Sequence, residues 1–357
     1  FLILGLKRFR SLFLMRLSML VLRVSLILVV ALAAVEAHAI IGAFAVGALL
    51  PGIAVIIVLF RVRGGGEPPA GTAPVSRRLL RLSAPLAISS ASVAVYSLLD
   101  KLMLGYFGSA ADVGLYSMAR NVLETSLFPT FALVMTLRPA LAGAFASGDV
   151  KRCSGLVNRS VISSMFYGSC VVVVFSCLAK PLIVGLFTER FTPSAELLLL
   201  FLPLIVMRSI GSAILPGLIA AERAGTYARL TLTGAGLNFA LNAVLIPMWG
   251  AKGAVVSTLL SYLPIEVMGL RAVAGVFPGY WRKGDMAKVL KTAAAMIIVI
   301  VPYLRFIPRP SGLILTIIHA LIIVIVFTGV LLALRALTPV EVRNLMKPLL
   351  KSTGRRR

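Results

Sequence analysis

Long apolar stretches recur along the chain, and the short connectors between them alternate between dense in Lys and Arg and nearly bare of them. Stretches of this length predict membrane helices, because a helix satisfies its own backbone polar groups where no water can. Ten spans are predicted, near residues 12–35, 39–60, 84–106, 114–143, 157–179, 196–221, 226–248, 253–275, 289–307 and 312–336. One set of connectors holds Lys7, Arg8, Arg10 and Arg16, then Arg61, Arg63, Arg77, Arg78 and Arg81, then Lys151, Arg152 and Arg159, and continues through Arg223, Arg229, Arg271, Arg282, Lys283, Lys288 and Lys291 to the basic tail. The opposite set holds Lys180, Arg190, Lys252, Arg305 and Arg309. Basic residues are retained on the cytoplasmic side, so a bias of about five to one predicts both chain ends in the cytoplasm. The expectation is an all-α, polytopic protein of the cell (cytoplasmic) membrane.

The pattern also marks an internal order. Residues 1–62 read as the last two helices of an N-terminal bundle and 63–77 as a cytoplasmic linker. Residues 78–280 read as a six-helix bundle, 281–337 as two further transmembrane helices, and 338–357 as a basic interfacial helix and tail. Gly64, Gly65, Gly66, Pro68 and Pro69 make the linker a spacer, with no Gly-Lys-Ser/Thr to make it a phosphate loop. At the tail, Thr338-Pro-Val-Glu341 carries an N-cap, an N1 proline and an N3 glutamate. Segment 38–50 can be laid on 249–261 so that Gly42-Ala43 falls on Gly253-Ala254, an offset of about 211 residues that six helices and their loops would occupy. Chance likeness between two small-residue hairpins is the alternative. Phe1 stands where Met would open a chain, which points to further sequence upstream.

Composition narrows the classes. Of 357 residues 59% are hydrophobic and 13% charged, more apolar surface than a soluble core can hide. A net charge of +24 would point to nucleic acid in a soluble chain, but here the charges lie in short loops, where topology and anionic membrane lipids account for them. No nucleic-acid partner and no cofactor are expected. Cys153, Cys170 and Cys177 have neither a disulfide framework nor metal spacing, and no metal site is expected. His38 and His319 read as packing or interfacial residues, and Asn158-Arg-Ser160 as a cytoplasmic match to a glycosylation pattern without consequence. No catalytic residue stands out.

The informative residues are ionisable groups inside the predicted spans, which are costly unless they face a bundle interior or water. They are Arg23, Asp100, Lys101, Arg120, Glu124, Arg138, Arg208 and Glu266. Arg23, Arg208 and Glu124 fall near the midplane; Asp100, Lys101 and Arg120 lie nearer the outer face, Arg138 and Glu266 nearer the cytoplasm. Five cations against three anions would attract a phosphate or pyrophosphate, for which arginine offers forked hydrogen bonds. Arg23, Arg120, Arg208, Lys101 and Arg138 are the candidate substrate-binding residues of a cationic cavity. Asp100 and Glu124 are candidates for ion coupling, or for pairing as Asp100–Arg120 and Glu124–Arg208. Asn238 and Asn242 share one helix face, where amides bridge neighbouring helices.

Several strings add a family likeness: Ser97-Leu-Leu-Asp-Lys-Leu-Met-Leu-Gly-Tyr-Phe-Gly108, Val113-Gly-Leu-Tyr-Ser-Met-Ala-Arg120, Leu186-Phe-Thr-Glu-Arg-Phe191, Leu237-Asn-Phe-Ala-Leu-Asn-Ala-Val-Leu-Ile-Pro247 and Gly250-Ala-Lys-Gly-Ala254. In this order and spacing, residues 78–280 resemble the C-terminal half of the polysaccharide (O-antigen type) flippase family of the multidrug/oligosaccharidyl-lipid/polysaccharide exporter superfamily. Gly5-Leu-Lys-Arg-Phe-Arg10 resembles that family's connector before its fifth helix. The likeness implies two six-helix bundles working by alternating access, of which this chain lacks the first four helices. It also implies a polyprenyl-phosphate-linked oligosaccharide substrate moved to the outer leaflet for surface polysaccharide or glycan synthesis, with glycan-assembly proteins as further partners. Asp100 and Arg120 match polar positions common in that half; Arg138-Pro139 departs from the family, which more often has an apolar residue there. An ion-coupled drug or organic-cation antiporter of the same superfamily stays open, as does a membrane glycan polymerase or ligase, although short outer connectors leave little room for a catalytic loop.

Overall fold

The structure, a computed structural model, describes residues 72–337. The chain divides between Ser76 and Arg77 into two compact units, and the architecture below is that of the second. The predicted spans 12–35 and 39–60, Arg23, His38, the first half of the internal likeness and the helix opened by Thr338 lie outside the described residues.

Ten α-helices follow one another: α1 Thr72–Phe107, α2 Ala110–Ser126, α3 Phe128–Ala146, α4 Val150–Leu186, α5 Thr192–Leu200, α6 Leu202–Ile210, α7 Ile214–Ala220, α8 Ala224–Ala274, α9 Lys283–Phe306 and α10 Leu313–Ala333. Among the described residues there is no strand. Ser109 and Asp112 cap α2 reciprocally, each side chain accepting from the other's backbone N–H. Prolines divide two of the predicted spans. Span 114–143 becomes α2 and α3, parted at Leu127, because Pro129 has no N–H for the Thr125 carbonyl. Span 196–221 becomes α5, α6 and α7, broken at Phe201 before Pro203 and again at a 3₁₀ turn, Gly211–Ala213. Spans 226–248 and 253–275 are the two arms of α8, which turns at Gly250 (φ 55°, ψ −132°), a conformation open to glycine and strained for other residues.

α4 is the hub. Val172 and Phe175 pack into a cluster with Leu104, Tyr116, Leu198 and Phe201. Cys153 and Val157 join a second with Leu141, Ile214 and Phe277, while Val173 and Cys177 join a third with Tyr303, Phe327 and Leu331. An apolar helix buried on every side suits a central position. In lipid, helices associate by close packing and interhelical hydrogen bonds rather than by escape from water. Gly168 of α4 accordingly lies so close on Ser209 of α6 that a methyl group would overlap the serine side chain. The loop before α9 is tied back to α4 by Asn158, which donates to the Tyr280 carbonyl and to Asp285 Oδ2, each at 2.7 Å.

Among the described residues, α9 and α10 pack on this bundle along one face. On α10, Thr316, Ile323, Phe327 and Leu331 are buried, whereas Ile314, Ile318, Leu321 and Ile325 stand exposed along the opposite face. An apolar stripe of that extent is stable against lipid and not against water. Between the two helices Tyr303 Oη lies 2.7 Å from His319 Nδ1. Six helical segments among the described residues are long and apolar enough to cross a membrane, within α1, α4, α8, α9 and α10 and across the broken run Leu202–Ala220 that holds α6 and α7, and the protein is a multi-pass membrane protein.

Candidate functional site

Asp100, on α1, is fully buried. Its Oδ2 accepts from Tyr116 Oη at 2.5 Å, Thr258 Oγ1 at 3.2 Å and Arg120 Nη1 at 3.5 Å; its Oδ1 accepts from Asn242 Nδ2 at 2.7 Å. One carboxylate thus joins α1 to α2 and to both arms of α8. The local reason is spacing. Tyr116, Arg120 and Glu124 recur every fourth residue and so form one stripe on α2; Asn238 and Asn242 do the same on the first arm of α8, and Ala254 and Thr258 on the second. Arg120 also donates to Tyr116 Oη at 3.2 Å, and its guanidinium stands 6.0 Å from the Phe201 ring centroid. Tyr96 extends the polar thread: its hydroxyl lies 3.2 Å from both the Thr258 carbonyl and Ser261 Oγ.

Glu124 is the second node. Its Oε1 accepts from Arg120 Nε at 3.1 Å and from Arg208 Nη1 of α6 at 2.6 Å. The Arg120 side chain is 7% exposed, that of Arg208 29% and that of Glu124 39%, so the network is dry at Asp100 and opens at the Glu124–Arg208 end. Two carboxylates and two guanidiniums balance in charge. Of the two cations, Arg208 has the more exposed side chain.

Of the ionisable residues predicted inside the spans, the structure brings together Asp100, Arg120, Glu124 and Arg208. Lys101, the next residue along α1, is half-buried and makes no ion pair among the described residues. Arg138 lies apart on α3, half-buried, with Nε lacking a partner among the described residues. Tyr116, Thr258, Tyr96 and Ser261 were not singled out by the sequence; the four-residue spacing of Tyr116 from Arg120 was the available signal.

Among the described residues no group of three His, Cys, Asp or Glu side chains converges. Around Asp100, however, hard oxygens gather from its own carboxylate, Thr258 Oγ1, the Ala254 carbonyl and the amides of Asn238 and Asn242. Asn242 Oδ1 and Asn238 Nδ2 are buried without partners among the described residues. Turned the other way, the Asn242 amide would set its oxygen against the Asp100 carboxylate, which a cation between them would make favourable. Such a donor set suits a hard cation.

A family model described as polysaccharide biosynthesis protein matches residues 6–196. The probable low-salt glycan biosynthesis flippase Agl15 of Haloferax volcanii is 26% identical over 193 residues, 52% of this chain and 40% of that protein. The lipid II flippase MurJ of Bacillus subtilis is 27% identical over 270 residues, 68% of this chain and 47% of that protein. The chain therefore spans less than half the length of these relatives. Among solved structures, the inward closed conformation of the lipid II flippase MurJ superposes with a TM-score of 0.60 over 82% of this chain and 61% of its own, at 16% identity, a likeness of fold.

Proposed function

The chain belongs to the polysaccharide biosynthesis protein family, and from that premise we propose that it serves to flip a polyprenyl-phosphate-linked oligosaccharide from the cytoplasmic to the outer leaflet, as a transporter and not an enzyme. Both ends of the chain face the cytoplasm on this reading, as the distribution of basic connectors requires. The observation that carries the reading is the partly exposed side chain of Arg208, paired with Glu124 at the open end of a network that is closed to water at Asp100. A phosphate oxygen is a stronger ligand for a guanidinium fork than one carboxylate oxygen, and the low dielectric of a membrane interior magnifies the difference. The head group would displace Glu124 from Arg208, while Arg120, held by Asp100, keeps Glu124 in place to take Arg208 back on release. The prenyl tail stays in lipid.

The test is transport of a fluorescent prenyl-diphosphate glycan in proteoliposomes holding the whole protein. Arg208→Gln is expected to slow it about 10–100-fold, the worth of one charge-assisted hydrogen bond of about 1.5–3 kcal/mol, and Arg208→Lys to fall between. Flipping of an uncharged glycolipid should not respond. Equal losses for charged and uncharged lipids would reduce Arg208 to a helix lock and sink the proposal.

Coupling is assigned to Asp100. A hard monovalent cation held by its carboxylate, Thr258 Oγ1, the Ala254 carbonyl and a turned Asn242 amide would draw α1 against both arms of α8. Sodium should then raise the Tm of the wild type relative to a bulky organic cation, as any ligand of the folded state does. Thr258→Val, similar in shape and without the hydroxyl, should lose that increment. A Tm indifferent to sodium in the wild type would leave Asp100 as a pairing residue alone.

A further inference from the structure

One buried titratable side chain belongs to none of this. Glu266, on the second arm of α8, is 9% exposed, and its Oε2 has no hydrogen-bond partner among the described residues. Its carboxyl group lies against Gly211, where a methyl group would overlap both oxygens. Gly211 opens the 3₁₀ turn that separates α6 from α7, so the carboxyl group occupies the notch at which a membrane-crossing segment is broken. An ionised carboxylate stripped of water and left unpaired costs several kcal/mol; protonated, it is neutral and fits an apolar notch.

The groups facing Glu266 explain why it is unpaired. From α6 the cation is Arg208, three residues before Gly211 and therefore on the same face, within electrostatic range of Glu266 but bonded at 2.6 Å to Glu124. From the first arm of α8 the facing group is the Tyr227 phenol. Beyond it, on α3, is Arg138, which senses Tyr227 and whose Nε has no partner among the described residues. In the turn itself, Ser212 donates to Ser164. Arg208 thus feels two carboxylates on different helices, and in this structure it is bonded to the one on α2.

We propose that Glu266 is a proton-binding site whose occupancy decides which carboxylate holds Arg208. With the proton on, Glu266 sits neutral in the Gly211 notch and Arg208 stays with Glu124. When the proton leaves to water, the Glu266 carboxylate draws Arg208 across, lets go of the notch and frees Glu124 on α2. About 12 Å of helix separates Glu266 from the end of α8 at Ala274, with Tyr227 and Arg138 as the polar groups along that side. The ligand is a proton, and the coupled event is transfer of one guanidinium between α2 and α8.

The inference rests on the flippase reading only where transport is concerned, and the deciding test avoids transport. Infrared titration of the whole protein in lipid nanodiscs is expected to show a protonated-carboxyl stretch at neutral pH in the wild type. That band should be lost in Glu266→Gln and displaced in Glu266→Asp, the second variant serving if the first fails to fold. It should also vanish at neutral pH in Glu124→Gln, because an unclaimed Arg208 would move to Glu266 and ionise it. Absence of the band in the wild type overturns the proton site. Its persistence in Glu124→Gln overturns the competition for Arg208. In proteoliposomes the pH dependence of flipping should flatten in Glu266→Asp and Glu266→Gln; if the infrared results stand and no flipping is seen in the wild type, it is the transport reading that fails.

Discussion

Asp100→Leu is expected to remove about 3–5 kcal/mol of stability, the cost of leaving a buried partner charge uncompensated. Four donors lose an acceptor at once: the Tyr116 and Thr258 hydroxyls, the Asn242 amide and the Arg120 guanidinium, whose Nη1 keeps only the neutral Tyr116 hydroxyl. Arg120 is the severe case, because it is 6% exposed and cannot reach water without parting α2 from the bundle. Glu124 holds its Nε but not the far end of the guanidinium. The double variant Asp100→Leu with Arg120→Met should be more stable than Asp100→Leu alone, since removing both charges removes the orphan. Thermal melts of the single and double variants in detergent measure the difference. A single variant that melts with the wild type would mean that the carboxylate is not the junction of α1, α2 and α8.

Gly253→Val is expected to prevent α8 from closing, with a loss beyond the usual 1–3 kcal/mol, about, for an overpacked side chain. The first atom of any side chain at 253 would overlap the Leu245 carbonyl and approach the Ile246 nitrogen, both of them backbone. A side chain in the way can rotate; a helix backbone cannot, so the arms must separate. Separation would also pull Asn242 and Thr258, which lie on opposite arms, away from Asp100. Two controls divide the effect. Gly250→Ala should cost about 1–3 kcal/mol, the strain of its backbone conformation. Gly236→Ala, on the first arm with nothing within 4 Å of its new methyl group, should be neutral or gain up to about 1 kcal/mol of helix propensity. Folded yield on size exclusion ranks the three. Gly253→Val as well folded as Gly236→Ala would show that the arms do not meet at that glycine.

Much of the site was legible one helix at a time. The stripe of Arg120 and Glu124, the pair Asn238 and Asn242, and the charges of Asp100 and Arg208 inside apolar spans were all visible as residues that lipid penalises. The pairings Asp100 with Arg120 and Glu124 with Arg208 follow from sign and depth. Tyr116, Thr258 and Tyr96 carry no mark in the sequence, because a tyrosine or threonine in a membrane helix is unexceptional until its hydroxyl meets a buried polar network. Glu266 reads in the sequence as a charge near the cytoplasmic side, yet that its Oε2 has no partner among the described residues is a property of Gly211 and Arg208, more than fifty residues earlier. The breaks at Leu127 and Phe201 were marked by Pro129 and Pro203, but hydropathy averages across a break and reports one span where the backbone makes two or three helices.

What the sequence determined by itself was the class of structure: apolar runs of membrane length and a family likeness in strings that keep their order. These are local quantities, set by the free energy of moving each segment from water to lipid, and they survive without knowledge of any neighbour. The tertiary structure alone decided that Asp100 on α1 would be shared with α2 and both arms of α8, that Arg208 would stand part-exposed beside Glu124, and that Glu266 would lie in the notch of Gly211 with its Oε2 unpartnered among the described residues. Those outcomes depend on which helices meet and how closely, and closeness in lipid is settled by packing at Gly168, Gly211 and Gly253, where the absence of a side chain lets one helix reach another.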